Sequence, residues 1–325
     1  MKAGSTMRAW RPIAAIVGVL VAAVVVGVFL AAEEDVDRAR GRLEERARIV
    51  STPAGSLQYA ISGRGAPVLV VHGAGGGFDQ GLLIARHFGG EGFQWISPSR
   101  FGYLGSALPP DASTSAQADA FAVLLDELDV ERVSILAFSG GVPPALQFAE
   151  RYPERTQCLA LLSSAPFDAS RRMANVRPIP DWLYQALFGS DAVYWLLTKT
   201  NRAQLEQAFD ARPELRPNLA EQEEELLSAI VDGFLPASSR IAGVRNEGAA
   251  IDPATDYRIE AIHAPMLIIH ARDDRINAFA IGEEIAARAP QAQFAALERG
   301  GHLLLHHHDE VRARVGAFLS ACPSE

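Results

Sequence analysis

Val133-Ser134-Ile135-Leu136-Ala137-Phe138-Ser139-Gly140-Gly141-Val142-Pro143-Pro144 joins a short apolar run, a turn of small residues and the opening of a helix. An unbroken apolar run of this length fits a strand buried on both faces of a parallel sheet. Pro143 and Pro144 fall in the first turn of the predicted helix Val142–Tyr152, where a missing N–H costs little. Between strand and helix, Ala137 and Gly141 flank Ser139 at two residues on either side. A sharp strand-to-helix turn brings those two positions together, so large side chains there would clash. The same strained turn projects the serine hydroxyl from the sheet. Ser139 is therefore a candidate nucleophile. A structural glycine turn with an incidental serine is the alternative, and it leaves the strand–turn–helix setting unexplained.

Outward from this turn, the pattern repeats. Pro67–Val71, Phe93–Ser97, Cys158–Ser163, Met266–His270 and Gln293–Leu297 are short strand-like runs. Ile49 to Ser62 reads as two strands about a turn at Pro53-Ala54-Gly55. Gln117–Leu128 has helical spacing, with Ala118, Phe121, Leu124, Leu125 and Leu128 on one face. Ala278–Ala289 and Val311–Leu319 are further helices. Alternating strands and helices predict an α/β class, with a mainly parallel sheet and helices on both faces. Residues 167–259 interrupt the alternation. They carry Trp182, Tyr184, Phe188, Tyr194 and Trp195 at mostly helical spacing and no buried-strand run. They are expected to form a helical cap over the carboxyl ends of the strands, where ligands bind in such sheets. The core is then 49–166 together with 260–325. Trp182 and Trp195 are candidates to meet an apolar acyl or aromatic group, or to pack the cap itself. The acidic stretch Glu221–Glu225 reads as a solvated helix face.

Two loops add chemistry. His72-Gly73-Ala74-Gly75-Gly76-Gly77 follows a buried strand. Its glycines allow close approach of the main chain, and the N–H groups of Ala74 and Gly140 are the candidate donors to a developing oxyanion. A dinucleotide fingerprint would need glycine where Phe78 stands, and a P-loop would need a following Lys-Ser/Thr. A purely structural turn is the other alternative. Ile268-Ile269-His270-Ala271-Arg272-Asp273-Asp274 ends a strand in two adjacent carboxylates. Asp274 is the candidate acid, Asp273 its immediate rival and Asp168 a weaker one. Gly300-Gly301-His302 follows the last strand, and His302 is the candidate base. The carboxylate would fix the imidazole tautomer and stabilise the imidazolium formed during attack. His72 is expected to be structural and His270 a packed histidine. His306-His307-His308 would point in different directions on a helix and make no metal face. His87 and His263 have no catalytic context. No metal or cofactor site is expected.

The chain has 325 residues, of which 49% are hydrophobic, and a formal net charge of -9. That is ample for a core and unsuited to a nucleic-acid surface, which needs clustered positive charge. The two cysteines, Cys158 and Cys322, lie in no ligand spacing; free thiols are the favoured reading, and pairing in an oxidising compartment is the alternative the sequence leaves open. Residues 1–12 form a tail. Ile13–Ala32 contains no charged residue and no proline, and suffices to cross a bilayer as a helix. Bulky Phe29 and Leu30 occupy the positions where a signal-peptide cleavage site needs small residues, which favours an uncleaved anchor. Lys2, Arg8 and Arg11 precede it and favour a cytoplasmic N-terminus, while Arg38, Arg40, Arg42 and Arg46 beyond it count the other way; the immediate flank Glu33-Glu34-Asp35 has no Lys or Arg, and the main domain is expected on the extracytoplasmic side. Residues 33–48, dense in both signs of charge, read as a solvated helical spacer.

The serine turn, the oxyanion loop and the Asp–His pair resemble the α/β-hydrolase superfamily, in particular its capped esterase, lactonase and carbon–carbon-bond hydrolase branch. The resemblance covers about Ile49 to Leu319, with the cap poorly matched. Ser99-Arg100-Phe101-Gly102-Tyr103-Leu104-Gly105-Ser106 is similar to a family loop reading Asp-x-x-Gly-x-Gly-x-Ser, departing from it at Ser99 and Leu104. The resemblance implies a Ser139–His302–Asp274 triad, no cofactor and a small-molecule substrate with an ester, lactone or related acyl bond. A serine nucleophile argues against the dehalogenase and epoxide hydrolase branches, which use aspartate. A membrane-tethered binding protein without catalysis, a serine-triad acyltransferase and a cofactor-free peroxidase are the rival functions on the same frame.

Overall fold

The computed structural model describes residues 6–167, 185–186, 188–249, 257–289 and 291–322. Asp168, Trp182 and Tyr184 lie outside them. Eight strands form one sheet in the order β1-β2-β4-β3-β5-β6-β7-β8. They are β1 (Arg48–Thr52), β2 (Gly55–Gly63), β3 (Ala66–Val71), β4 (Phe93–Pro98), β5 (Val133–Phe138), β6 (Thr156–Leu162), β7 (Met266–Ala271) and β8 (Ala292–Leu297). β1 and β2 pair antiparallel at one edge, and every pairing from β4 to β8 is parallel.

Strand periodicity divides the apolar runs between two cores. Leu69, Val71, Ile135, Ala137, Leu159 and Leu161 point to one face. There they meet α3 (Thr114–Glu127), α4 (Val142–Arg151) and α9 (Phe279–Arg288). Val68, Val70, Leu136, Phe138, Ala160 and Leu162 point to the other, against α2 (Phe78–Phe88) and α10 (His308–Ser320). Helix α2 was not expected from the sequence. Its signal was present: Phe78, Leu82 and Ala85 recur at i, i+4 and i+7 and are buried.

The insertion contains α5 (Asp191–Thr200), α6 (Arg202–Ala208), α7 (Glu221–Gly233) and α8 (Ile241–Ala249). Arg240, almost wholly buried, fastens it to the core. It donates to Gly76 O at 2.7 Å and to both Asp79 carboxylate oxygens at 2.7 and 3.1 Å.

Two expectations are corrected. The charged segment is helical only to Glu44, as the end of one 39-residue helix, α1 (Thr6–Glu44), and it is no free-standing spacer. Ala32, Val36 and Ala39 are buried along one stripe, and the latter two join Tyr194, Leu205, Val231 and Phe234 of the cap. Asp35 accepts the Trp195 indole N–H at 2.6 Å, and Arg40 pairs with Asp191 at 2.9 Å. Trp195 is thereby committed to α1 and not to a substrate. The apolar half of α1 is long and apolar enough to cross a membrane. The thiols are not free either: Cys158 on β6 is joined to Cys322 beyond α10. Sequence spacing could not reveal this, because the bond closes a separation of 164 residues and depends on the closing helix crossing under β6.

Candidate active site

Ser139 follows β5 immediately and has a positive φ of 51°, a strained value for a non-glycine residue. A Cβ on Gly141 would lie 2.2 Å from Val71 O, and one on Gly140 3.3 Å from Ala74 N. The glycines thus let the serine turn press against the loop that follows β3. In that loop the neighbouring amides are occupied. Gly73 N–H donates to Gln80 Oε1 (2.9 Å), Gly75 N–H to Tyr103 Oη (3.2 Å) and Gly76 N–H to Gly73 O (3.3 Å). Ala74 N–H has no acceptor among the described residues. Gly140 N–H lies in the first turn of a helical segment, where amides lack an intrahelical acceptor. These are the two amides named from the sequence, and they flank Ser139.

His302 is delivered by the loop after β8. Gly301, at φ 59°, has no room for a side chain: a Cβ would meet Asp210 Oδ2 at 2.8 Å. The imidazole Nδ1 lies 2.9 Å from Asp274 Oδ2, and its ring stacks at a tilt on Phe138 with centroids 5.0 Å apart. Asp274 also receives His270 Nε2 at 3.2 Å on Oδ2, and on Oδ1 the N–H groups of Ile276 (2.8 Å) and Asn277 (2.9 Å). Burial alone would raise this carboxyl. The charge of His302 and the hydrogen bonds from His270, His302 and Asn277 outweigh it and hold the group well below the usual carboxylate range. Asp273 turns elsewhere: it accepts Gly301 N–H at 2.9 Å and pairs with Arg212 at 2.7 Å. Of the two adjacent carboxylates, Asp274 is therefore the one bonded to the imidazole. His270 is packed, as expected, and in addition a donor to Asp274.

Four other histidines have separate partners. His72 is fully buried, accepts Arg100 N–H on Nε2 (2.9 Å) and donates from Nδ1 to Gly73 O (2.7 Å). Burial, followed by the charge of Arg100, pushes its pKa well down, so the ring is a neutral strut for the His72–Gly77 loop. His306 meets Leu215 O, His307 meets Glu310, and His308 meets Leu303 O.

Several residues of the site were not singled out from the sequence. Glu247 on α8 pairs with the buried Arg100 and accepts the Tyr103 hydroxyl at 2.5 Å. Burial first, then Glu247, raises the Tyr103 phenol well above its ordinary pKa, keeping it a donor. This carboxylate lies beside the Ser139 turn, since a Cβ on Gly140 would touch Glu247 Oε2 at 2.8 Å. Asn277 donates from Nδ2 to Ser139 Oγ at 3.2 Å and to Ser163 O at 2.8 Å. Asp210 and Arg212 reach in from the cap. Arg100 and Tyr103 lie in the family-like Ser99–Ser106 loop; Glu247, Asn277, Asp210 and Arg212 meet Arg100, Ser139, His302 and Asp273 across more than 60 residues of chain.

Residues 66–309 match the model of a family described as alpha/beta hydrolase fold. The chain is 27% identical over 268 residues to the 2-hydroxymuconate semialdehyde hydrolase of Pseudomonas putida, covering 78% of this chain and 86% of that protein. It is 28% identical over 158 residues to the uncharacterized hydrolase YcgS of Bacillus subtilis (strain 168), covering 45% of this chain but only 54% of that relative. Among solved structures, it resembles an alpha/beta hydrolase fold protein from Nakamurella multipartita with a TM-score of 0.69 and 26% identity, covering 84% of this chain and 98% of the other.

Proposed function

Because this chain belongs to the alpha/beta hydrolase fold family, we propose that it is a serine hydrolase that cleaves an ester, lactone or related acyl bond through an acyl-enzyme on Ser139. One observation carries this reading: His302 Nδ1 lies 2.9 Å from Asp274 Oδ2, so an imidazole that carries its single proton on Nδ1 offers Nε2 as base, and the ring lies against Phe138, the residue before a serine held at φ 51°. His302 removes the Ser139 proton as Oγ attacks the carbonyl carbon. The oxygen that gains charge is met by the N–H groups of Ala74 and Gly140. The imidazolium protonates the leaving group, and water, activated by the same imidazole, releases the acid and restores Ser139.

The substrate is a small molecule with an apolar acyl or aromatic group. The Ile13–Ala32 segment anchors the chain in the membrane, with the catalytic domain on the extracytoplasmic side. The Cys158–Cys322 bond supports that side, because disulfides persist in oxidising compartments.

A fluorophosphonate probe on the full-length protein tests the chemistry. Wild type should be labelled at Ser139, and Ser139→Ala should lose labelling and about 10³- to 10⁶-fold of esterase turnover. A folded wild type that resists the probe would favour a non-catalytic binding protein.

A further inference from the structure

We propose that Asn277 is a further catalytic residue, whose side-chain amide holds the Ser139 oxygen and stabilises the charge that develops on it. The inference rests on Ser139 being the nucleophile.

The orientation of the amide is fixed by its partners. Ser163 O is a carbonyl and can only accept, so the atom 2.8 Å from it is Nδ2, and Nδ2 has a second hydrogen to give. That hydrogen is directed at Ser139 Oγ, 3.2 Å away. Asn277 is 4% exposed, so water does not compete for the bond. The residue is also held from its backbone: its N–H donates to Asp274 Oδ1 at 2.9 Å, and its carbonyl lies 3.2 Å from His270 Nε2. The donor is thus preorganised by the same carboxylate that orients the base.

Its chemistry follows from the direction of the bond. Ser139 Oγ accepts from Asn277 and keeps its own hydrogen for His302. As that proton moves to His302 Nε2, the electron pair of the O–H bond remains on Oγ until it forms the bond to the carbonyl carbon. During this interval a neutral hydrogen bond becomes charge-assisted, which strengthens it selectively in the transition state. In the second half-reaction water adds to the acyl carbon and the Oγ–C bond breaks. Oγ leaves with its electron pair, is protonated by His302, and is again met by the Asn277 N–H. Asn277 exchanges no proton in either step. It acts on the nucleophile oxygen, whereas Ala74 and Gly140 act on the carbonyl oxygen.

The test uses the full-length protein in detergent and the second-order rate of fluorophosphonate inactivation, which reports attack by Ser139 without deacylation. Asn277→Leu removes the donor while keeping the same branched side-chain shape. Inactivation should slow by about 10- to 100-fold, somewhat less than the loss of one oxyanion donor, and the deficit should persist on the alkaline plateau of the pH profile. The probe should still end on Ser139, kcat should fall in parallel, and KM should stay within about threefold, as expected for an interaction made in the transition state. Asn277→Ala, which cannot overpack the site, should behave alike. Equal inactivation rates for wild type and a folded variant, with Ser139 labelled in both, would overturn the proposal and leave the serine-hydrolase reading intact. Failure of both variants to fold would make Asn277 a structural support and overturn it too. Absence of the label from Ser139 in wild type would remove both readings at once.

Discussion

Asp210, from the cap, accepts the backbone N–H of His302 on its Oδ2 at 3.0 Å. The same oxygen accepts Arg275 N–H at 3.1 Å, and Arg212 lies 3.1 Å from Oδ1 while also pairing with Asp273. Asp273 in turn holds Gly301 N–H. One buried carboxylate therefore ties the insertion to the loops that carry His302 and Asp274. Asp210→Ala would leave two inward-facing amides without acceptors, at about 1–3 kcal/mol each. We expect kcat to drop about 10-fold or more with a smaller change in KM, because misplacing the base harms chemistry more than binding. Steady-state kinetics beside a thermal melt check this; an unchanged kcat in a folded variant would show that the cap does not set the position of His302.

The Cys158–Cys322 bond joins a central strand to the closing helix across 164 residues. A crosslink of that span restricts the unfolded chain strongly, and its loss should cost about 2–5 kcal/mol. Cys158→Ala/Cys322→Ala should unfold at clearly lower denaturant than wild type. Wild type treated with reductant should match it. Coincident unfolding curves in all three preparations would mean that the bond contributes nothing to stability.

His87 on α2 is buried, and neither ring nitrogen has a hydrogen-bond partner among the described residues. Burial first, then the neighbouring His308, lowers its pKa from 6.5 to about 4; Arg86 and Arg312 act in the same sense and Glu225 against it. The unfolded chain therefore takes up a proton that the folded chain refuses between those two values. The sign follows: stability should fall as pH drops from 6.5 towards 4, and this contribution should level off below. His87→Leu should flatten the pH dependence of the unfolding midpoint in that window. His308, also lowered chiefly by burial, should keep some of the slope. An unaltered slope in the variant would contradict the burial of a neutral ring at position 87.

What the sequence made legible was whatever depends on near neighbours along the chain. The runs at Pro67–Val71 and Val133–Phe138 carry their own burial pattern, and the serine turn carries its steric reason in three small positions. The sequence favours Asp274, but Asp273 stays its rival and Asp168 a weaker one, because choosing between adjacent carboxylates needs the direction in which the loop turns. That direction is set by Gly301 and Arg212, from two other parts of the chain. Asn277 stands three residues after Asp274 in a sequence with no motif; only the fold sets its amide against Ser139. Glu247 and Asp210 were hidden in the cap, whose helical periodicity reveals which faces are apolar but not what those faces cover. The charged stretch after Ala32 misled for the same reason. Its charges are solvated on most of the helix surface, and the narrow stripe of Val36 and Ala39 is too small to register as a packing face until its partner is known.

That stripe changes what truncation should do. Residues 49–325 contain every strand of the sheet beyond Arg48 and all the triad candidates, and a free spacer could be removed without consequence. Here removal would uncover cap side chains that now meet Val36 and Ala39, among them Tyr194 and Val231. It would also strip Asp35 from the Trp195 indole and Arg40 from Asp191. Burial of one valine and one alanine with their contact surface amounts to about 2–4 kcal/mol. The exposed ion pairs add little. A domain beginning at residue 33 should therefore melt several degrees above one beginning at residue 49, while both hydrolyse short soluble esters, since neither loses a residue of the site. Because Asp191 also accepts Ser238 N–H, next to the segment that holds Leu104 and Arg240, the shorter domain should also be protected less from proteolysis within the cap. Thermal melts, esterase rates and limited proteolysis on the two fragments measure this directly. Identical melting and cleavage patterns would mean that the helix merely rests on the cap and contributes nothing to holding it.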